Sequence, residues 1–220
     1  MSEKQEEIIL HIRDDKSILL EILEKGSVKT KMITPDALIE CIKGSLSGFR
    51  FSTGILPSNI VSMTVDTDND CKYVVVEYQH EKADITYMKT VYSDFPLPRL
   101  LFGFTVESSG RISSINMGVP KLGKLKPETP MYYYPFSNVS RFSLCTGSNS
   151  LPNIQTLQSL RNLPEYILAL PDNDDYYQES HNRLKLGHRD LLEHLKDKDR
   201  QYYYDSILVP MPGTTLENFL

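Results

Sequence analysis

Cys145 is the residue of this 220-residue chain that is best suited to covalent chemistry. It has an apolar residue before it and small polar residues after it, including a glycine. A structural cysteine usually lies within an apolar run, where it packs as a small hydrophobic side chain. We therefore expect an accessible thiol, and an accessible thiolate is an effective acyl-transfer nucleophile. An incidental loop cysteine is the alternative interpretation.

Residues on the N-terminal side of Cys145 could support such a nucleophile. Asn138 precedes it by seven positions. The Asn138 amide could donate to a tetrahedral oxyanion, or the residue could form a turn, because asparagine bonds readily to its own backbone in loops. Tyr134 and Pro135 would brace the loop beneath the cysteine. Tyr134 could also be an ordinary strand aromatic with one face in the core.

Three aspartates, Asp172, Asp174 and Asp175, lie close together further along the chain. Transfer of an acyl group from a thiol to an amine requires the amine to lose a proton, and a carboxylate near the acylated thiol would help by positioning the amine. We expect Asp174 and Asp175 to take this supporting role. A solvated acidic turn is the plainer interpretation of the same segment.

Three histidines follow Cys145, at His181, His188 and His194. A cysteine hydrolase needs a histidine beside its nucleophile, and the order of residues permits one here. No local pattern favours it, because His194 belongs to a helical pattern with Leu191 and Leu195.

The other two cysteines, Cys41 and Cys71, are expected to be core or half-buried residues. The total of three is odd and the spacing is wide, so the sequence predicts neither a disulfide framework nor a zinc site. We expect no metal and no cofactor.

Charge and hydropathy narrow the possible partners. The formal charge of −5 gives no reason to expect a nucleic-acid surface, which needs clustered lysine and arginine. The first residues do not resemble a signal peptide, and no apolar run approaches the roughly 20 residues that cross a bilayer. The sequence therefore predicts a cytoplasmic protein that binds neither nucleic acid nor membrane.

Alternating apolar residues predict three N-terminal strands, at residues 7–12, 17–23 and 28–33. We take residues 1–33 as an N-terminal β extension. A helix should begin at Thr34 and Pro35 and end at Gly44, because a hydroxyl cap and a first-turn proline are start signals.

The remaining segments predict an α+β fold, in which an antiparallel β-meander is flanked by helices. Strands are expected at residues 60–65, 72–79, 85–91, 100–106, 112–117 and 132–134. Helices are expected from Pro152, with a break near Pro164, and over residues 187–198. Residues 34–220 should form one compact domain.

Several short motifs occur in a distinctive order: Leu97-Pro98-Arg99-Leu100-Leu101-Phe102, Gly110, Thr129-Pro130-Met131-Tyr132, Pro135-Phe136-Ser137-Asn138-Val139, Cys145-Thr146-Gly147-Ser148 and Leu151-Pro152. This order resembles prokaryotic ubiquitin-conjugating-like family D, the PRTRC system protein B-like bacterial branch of the ubiquitin-conjugating enzyme superfamily. The resemblance covers roughly residues 97–195. Tyr134 stands where the eukaryotic His-Pro-Asn motif has histidine, and two residues separate Pro135 from Asn138.

The resemblance implies a ubiquitin-conjugating-like fold over residues 34–220 and a thioester mechanism. Cys145 would accept the carboxyl terminus of a ubiquitin-like protein from an adenylating activating enzyme and pass it to an amine. Asn138 would hold the oxyanion, and Asp174 and Asp175 would lie in a gate loop. A JAB-type peptidase is a further expected partner. ATP is used by the activating enzyme, so this chain would need no cofactor.

Three other functions stay open at this point. The chain could be a scaffold of the same fold that binds a ubiquitin-like protein without forming a thioester. It could be a cysteine hydrolase, which would act without an activating enzyme. It could also be a structural or plasmid-maintenance protein, in which case replacing Cys145 would change no activity.

Overall fold

The chain forms two compact units, Met1–Gly54 and Ile55–Leu220, in a computed structural model that describes residues 7–24, 26–46, 53–67 and 69–220. The secondary structure is α+β, with mostly antiparallel sheets and a few helices, as the sequence predicts. None of the described helices has the length and apolar composition needed to cross a bilayer.

The first unit contains an antiparallel meander of three strands, β1 (Glu7–Ile12), β2 (Ile18–Glu24) and β3 (Ser27–Ile33). These strands confirm the three expected from alternation. Helix α1 (Pro35–Leu46) follows, and the Thr34 hydroxyl caps it by accepting from the Ala37 N–H at 3.2 Å.

Three features of α1 differ from expectation. The helix continues through Gly44 to Leu46, since one glycine weakens a helix by only about 1 kcal/mol and need not end it. The predicted core or half-buried position of Cys41 is wrong, because Cys41 is exposed, whereas Cys71 is half-buried as expected. The boundary between the N-terminal extension and the main domain was predicted between residues 33 and 34. The structure instead places it after Gly54, so α1 belongs with the three strands.

The second unit is built on a four-stranded antiparallel meander in the order β4, β5, β8 and β9. Its strands are β4 (Ile60–Asp66), β5 (Cys71–Tyr78), β8 (Leu100–Glu107) and β9 (Ile112–Pro120). The central strands carry fully buried apolar side chains, such as Val74 and Phe102, because both faces of the sheet are covered there.

A hairpin of β6 (Lys82–Tyr87) and β7 (Thr90–Pro96) is inserted between β5 and β8. The single strand predicted over residues 85–91 is therefore wrong. The chain reverses between Tyr87 and Thr90, where Met88 adopts a left-handed φ of 53°. The turn lacks the glycine or asparagine that would have marked it in the sequence.

The C-terminal part supplies the remaining short strands of the second unit. They are β10 (Pro130–Tyr132), β11 (Val139–Ser140), β12 (Ser143–Leu144), β13 (Pro171–Asp172) and β14 (Pro210–Thr215). Strand β10 pairs with β9 and β14, and β13 runs parallel to β6. The strand expected over residues 132–134 thus begins earlier and ends at Tyr132.

The helices of this part are α2 (Leu163–Leu168), α3 (His188–Leu195) and α4 (Arg200–Tyr202), and α4 continues into a π-helical turn over Tyr203–Ile207. The helix expected from Pro152 is only a 3-10 turn over Leu157–Leu160, followed by α2. Pro164 starts α2 rather than breaking a helix, because a first-turn proline has no hydrogen bond to lose. Helix α3 buries the three predicted leucines, Leu191, Leu192 and Leu195.

Replacing Gly103 by alanine is expected to destabilise the second unit by about 2 kcal/mol or more. An added methyl would overlap the phenol of Tyr73. That phenol cannot move freely, because its oxygen donates to the Phe219 carbonyl at 2.9 Å and accepts from the Asn116 amide at 3.1 Å. Urea denaturation measures the change.

The matched control is Gly187→Ala, which adds the same methyl where nothing lies within 4 Å. Its cost should stay within about 1 kcal/mol, the range for loss of a favourable helix-cap residue. Equal midpoints for the two variants would contradict the close packing of β8 against Tyr73.

Candidate functional site

A short hairpin brings Asn138 beside Cys145. In the antiparallel pair β11–β12, Val139 lies opposite Leu144 and Ser140 lies opposite Ser143. The next pair in this register is Asn138 and Cys145, and the Cys145 N–H donates to the Asn138 carbonyl at 2.8 Å. The seven-residue spacing in the sequence therefore becomes direct contact of the two backbones.

Cys145 lies at the wall of a cavity of about 240 Å³. The side chain is exposed, which confirms the expectation of an accessible thiol. Tyr134, Ser137, Asn138 and Asp172 line the same cavity. Residues that carry a thiol, an amide, a hydroxyl and a carboxylate thus line one cavity.

Asn138 is both a turn residue and a side-chain donor. Its φ of 60° lies in the left-handed region, which asparagine tolerates better than most residues. Its backbone N–H donates to the Asp175 carbonyl at 2.7 Å, and its side-chain amide donates to Asp172 Oδ1. One amide hydrogen is therefore already engaged, which leaves the other for a second acceptor.

Asp172 is the aspartate that faces the cavity with its carboxylate close to Asn138. Burial is the main cause that raises the pKa of Asp172 to about 6, and the Asp174 carboxylate adds to the rise. The nearby Ser137 hydroxyl and the Asn173 backbone N–H oppose it. An acid with a pKa near 6 accepts and releases protons readily at neutral pH.

Asp174 points away from this cavity. It accepts from the Tyr87 hydroxyl at 2.8 Å and lies 3.1 Å from Nδ1 of His188. The His188 ring is buried and stacks on Tyr177 at 4.6 Å between centroids. Asp174 therefore fastens its loop to α3.

Asp175 lines the cavity but is exposed. Its carboxylate accepts from the Asn173 amide at 2.9 Å, and its carbonyl holds the Asn138 N–H. Asp174 and Asp175 were predicted to position the amine. In the structure both stabilise the loop that contains Asp172.

Tyr134 and Pro135, which precede the hairpin in the chain, are both buried. The Tyr134 ring packs edge-on against Phe136, with centroids 5.4 Å apart, and it also lines the cavity. Burial raises the pKa of the Tyr134 phenol well above its usual range, so the phenol stays neutral. The residue is at once a core aromatic and part of the cavity wall.

The three histidines lie elsewhere. His181 stacks on Tyr133 with centroids 4.3 Å apart, His188 pairs with Asp174, and His194 Nε2 lies 2.9 Å from the Tyr202 hydroxyl. In the part of the chain that the structure describes, no histidine lines the Cys145 cavity. A cysteine–histidine pair of the hydrolase type is therefore not assembled there.

Ser137 is a cavity residue that the sequence did not single out. Ser137 is 1% exposed, and its hydroxyl lies beside the Asp172 carboxylate, whose pKa it lowers. A serine before an asparagine reads as an ordinary turn residue, so no local pattern could have marked it.

As the pH rises, the free energy of unfolding of Asp172→Asn is expected to increase relative to that of the parent protein. The folded-state pKa of about 6 exceeds the ordinary 3.8, so the folded protein holds its proton longer than the unfolded chain. The stability contributed by the protonated form is lost between these two pH values. The variant lacks this loss and should gain about 2 kcal/mol on the parent between pH 4 and pH 7.

Urea denaturation of both proteins across this pH range measures the difference. If the difference in the free energy of unfolding between the two proteins were constant with pH, the pKa of Asp172 would not be raised by burial.

The chain matches no protein-family model, no curated protein and no solved structure. Among the described residues, no group of three or more histidine, cysteine, aspartate or glutamate side chains could hold a metal ion. The functional inference therefore depends on the chemistry of the Cys145 cavity.

Proposed function

We propose that the chain is a ubiquitin-conjugating-like transferase that carries a ubiquitin-like protein as a thioester on Cys145. The observation that carries this proposal is an exposed thiol on the wall of a cavity that is also lined by a half-buried carboxylate with a pKa of about 6. The partners would be an adenylating activating enzyme, a ubiquitin-like protein and a JAB-type peptidase in the cytoplasm.

The strand order supports this assignment. Within the second unit, the meander β4–β5–β8–β9 comes first, and the Cys145 hairpin and the helices α2 and α3 follow it. This is the order of elements that the resemblance to ubiquitin-conjugating-like family D implies. The β6–β7 hairpin is an insertion within that order.

Charging of Cys145 would be a transthioesterification. The Cys145 thiolate attacks the carbonyl of the thioester on the activating enzyme, a new C–S bond forms, and the old C–S bond breaks. The activating enzyme leaves as a thiolate. Because Cys145 is exposed at the end of β12, a large thioester donor can approach it.

Discharge to an amine needs a proton acceptor, and Asp172 is well suited. The amine nitrogen attacks the thioester carbonyl, the C–N bond forms, and the Cys145 C–S bond breaks. The amine proton passes to the Asp172 carboxylate and then to solvent, and Cys145 leaves as a thiolate. A positioned carboxylate with a pKa near 6 can accept that proton at neutral pH.

The second candidate is a scaffold of the same fold that binds a ubiquitin-like protein without a thioester. One observation favours it: one of the two hydrogens of the Asn138 amide, the expected oxyanion donor, is already donated to Asp172. The hydrolase interpretation has less support, because the described histidines lie away from the cavity.

Dependence on the activating enzyme separates these functions. The protein is incubated with a ubiquitin-like protein and ATP, with and without the activating enzyme, and adducts are resolved on a non-reducing gel. A transferase forms a dithiothreitol-sensitive adduct only with the activating enzyme. A scaffold retains the ubiquitin-like protein on a column but forms no adduct, and a hydrolase cleaves a preformed conjugate with no activating enzyme present.

A further inference from the structure

Strand β1 is an edge strand with an exposed apolar face. The first sheet has the order β1–β2–β3, and in the described part of the chain no strand pairs with the outer edge of β1. Ile8, Leu10 and Ile12 alternate along β1 and therefore project from one face. Their side chains are 65%, 42% and 72% exposed. A hydrophobic edge strand readily accepts a further strand, so natural proteins usually protect such an edge.

The opposite edge of the same sheet carries that protection. Strand β3 places Lys29 and Lys31 in register with Ile22 and Leu20 of β2, on the face that carries the apolar side chains of β1. Lysine on an edge strand discourages pairing with another strand. Strand β1 contains no lysine, arginine or proline. On this face the sheet is therefore apolar at β1 and basic at β3.

The backbone of β1 directs hydrogen-bonding groups toward its outer edge. The Arg13 N–H donates to the Ser17 carbonyl at 3.0 Å, in the position next to the β1–β2 ladder. In an antiparallel ladder such pairs alternate with pairs whose N–H and C=O groups point outward. By this alternation the N–H and C=O groups of Ile8, Leu10 and Ile12 point away from β2. The residues with exposed apolar side chains thus also carry the outward ladder groups.

A second β1, running antiparallel, fits this edge. If the two strands are centred on Leu10, Leu10 lies opposite its own counterpart and Ile8 lies opposite Ile12 of the second copy. The same register places Glu7 opposite Arg13 at both ends of the pair. Opposite charges that face each other across two strands stabilise a sheet, and like charges destabilise it. The strand is thus complementary to itself in its backbone groups, its apolar side chains and its charges.

We propose that the chain forms a dimer in which β1 of one copy pairs antiparallel with β1 of a second copy. The two meanders join into one six-stranded sheet, and the Ile8, Leu10 and Ile12 side chains of both copies meet at its centre. Pairing of two such short strands buries less surface than a standard protein interface, so we expect a micromolar Kd. Strand β1 belongs to the first unit and Cys145 to the second, so this inference does not depend on the proposed thioester function.

Sedimentation velocity of the full chain across the micromolar range tests the dimer. The parent should pass from monomer to dimer as its concentration rises. Leu10→Lys brings two like charges together at the centre of the strand pair and should raise the Kd about 100-fold or more. The matched control Val28→Lys makes a similar change at an exposed residue of β3 and should leave the Kd unchanged. Circular dichroism verifies that each variant is folded.

Charge reversal tests the register and keeps every apolar side chain. Glu7→Arg should raise the Kd about 10-fold, because two like-charged pairs replace two oppositely charged pairs. Arg13→Glu should raise it to a similar extent. The variant that carries both changes restores the opposite charges and should recover most of the parent affinity.

Amide hydrogen exchange shows what covers the strand. The amides of Ile8, Leu10 and Ile12 should exchange more slowly as the parent concentration rises. A parent that stays monomeric throughout the range would overturn the proposal, and slow exchange that is independent of concentration would mean that another segment of the same chain covers β1. Dimerisation lost in Val28→Lys and kept in Leu10→Lys would place the interface at β3. A double charge variant no tighter than either single variant would exclude pairing centred on Leu10.

Discussion

Cys145→Ser is expected to accumulate an ester-linked adduct that dithiothreitol does not remove, and Cys145→Ala is expected to form none. Serine places a hydroxyl where the thiol stood, and an oxygen ester resists thiol exchange while a thioester does not. The alkoxide is also a poorer leaving group than a thiolate, so transfer from the serine adduct to an amine should be slower by about 100-fold or more. Non-reducing and reducing gels, followed by hydroxide treatment, distinguish the two linkages.

Two controls accompany the Cys145 variants. Cys145 is exposed, so its replacement should leave the fold intact, and thermal melting verifies this. Cys41→Ser is the matched control, because Cys41 is also exposed but lies in the first unit. If the adduct persisted in Cys145→Ala and disappeared in Cys41→Ser, the acyl group would be carried by Cys41, which would contradict the proposed role of Cys145.

Asp172→Asn is expected to slow transfer from charged Cys145 to an amine by about 100-fold, the usual contribution of a positioned general base. Charging itself should remain close to the parent rate, since transthioesterification requires no proton to leave an amine. Asparagine still offers an oxygen to the Asn138 amide, so the hydrogen bond that holds the loop can persist. Single-turnover discharge to free lysine measures the rate.

The pH dependence gives a second readout of Asp172. The carboxylate acts as a base only when it is ionised. The parent discharge rate should therefore rise as the pH passes through about 6, and ionisation of Asp172 should cause no further increase at higher pH. The variant should lack that inflection. Asp197→Asn, an exposed aspartate after α3, is the control and should keep the parent profile. An inflection that persists in Asp172→Asn would assign the proton transfer to another group.

Local patterns predicted much of the framework. The apolar runs of β5 and β8 and the alternation of β1–β3 are properties of neighbouring residues, so the sequence alone reveals them. The β6–β7 turn was missed because Met88 and Lys89 are not typical turn residues. Pro164 was misinterpreted because a proline that starts a helix and one that breaks a helix look alike in a single sequence.

The site depended on contacts between distant residues. Sequence placed three aspartates in one loop but could not show which one faces Cys145, and Asp174 and Asp175 were preferred to Asp172. That choice is decided by the parallel pairing of Pro171 with Thr86, which joins residues far apart in the chain. The burial of Ser137 beside the Asp172 carboxylate is likewise a property of packing and not of any motif.

Intact mass under non-reducing conditions tests the thioester most directly. The protein is mixed with an activating enzyme, its ubiquitin-like protein and ATP, in parallel with Cys145→Ala. The proposed function predicts that the parent gains the mass of one ubiquitin-like protein less one water, that dithiothreitol reverses the gain, and that Cys145→Ala shows none. If the activating enzyme becomes charged and the parent still gains no mass, Cys145 does not carry a thioester.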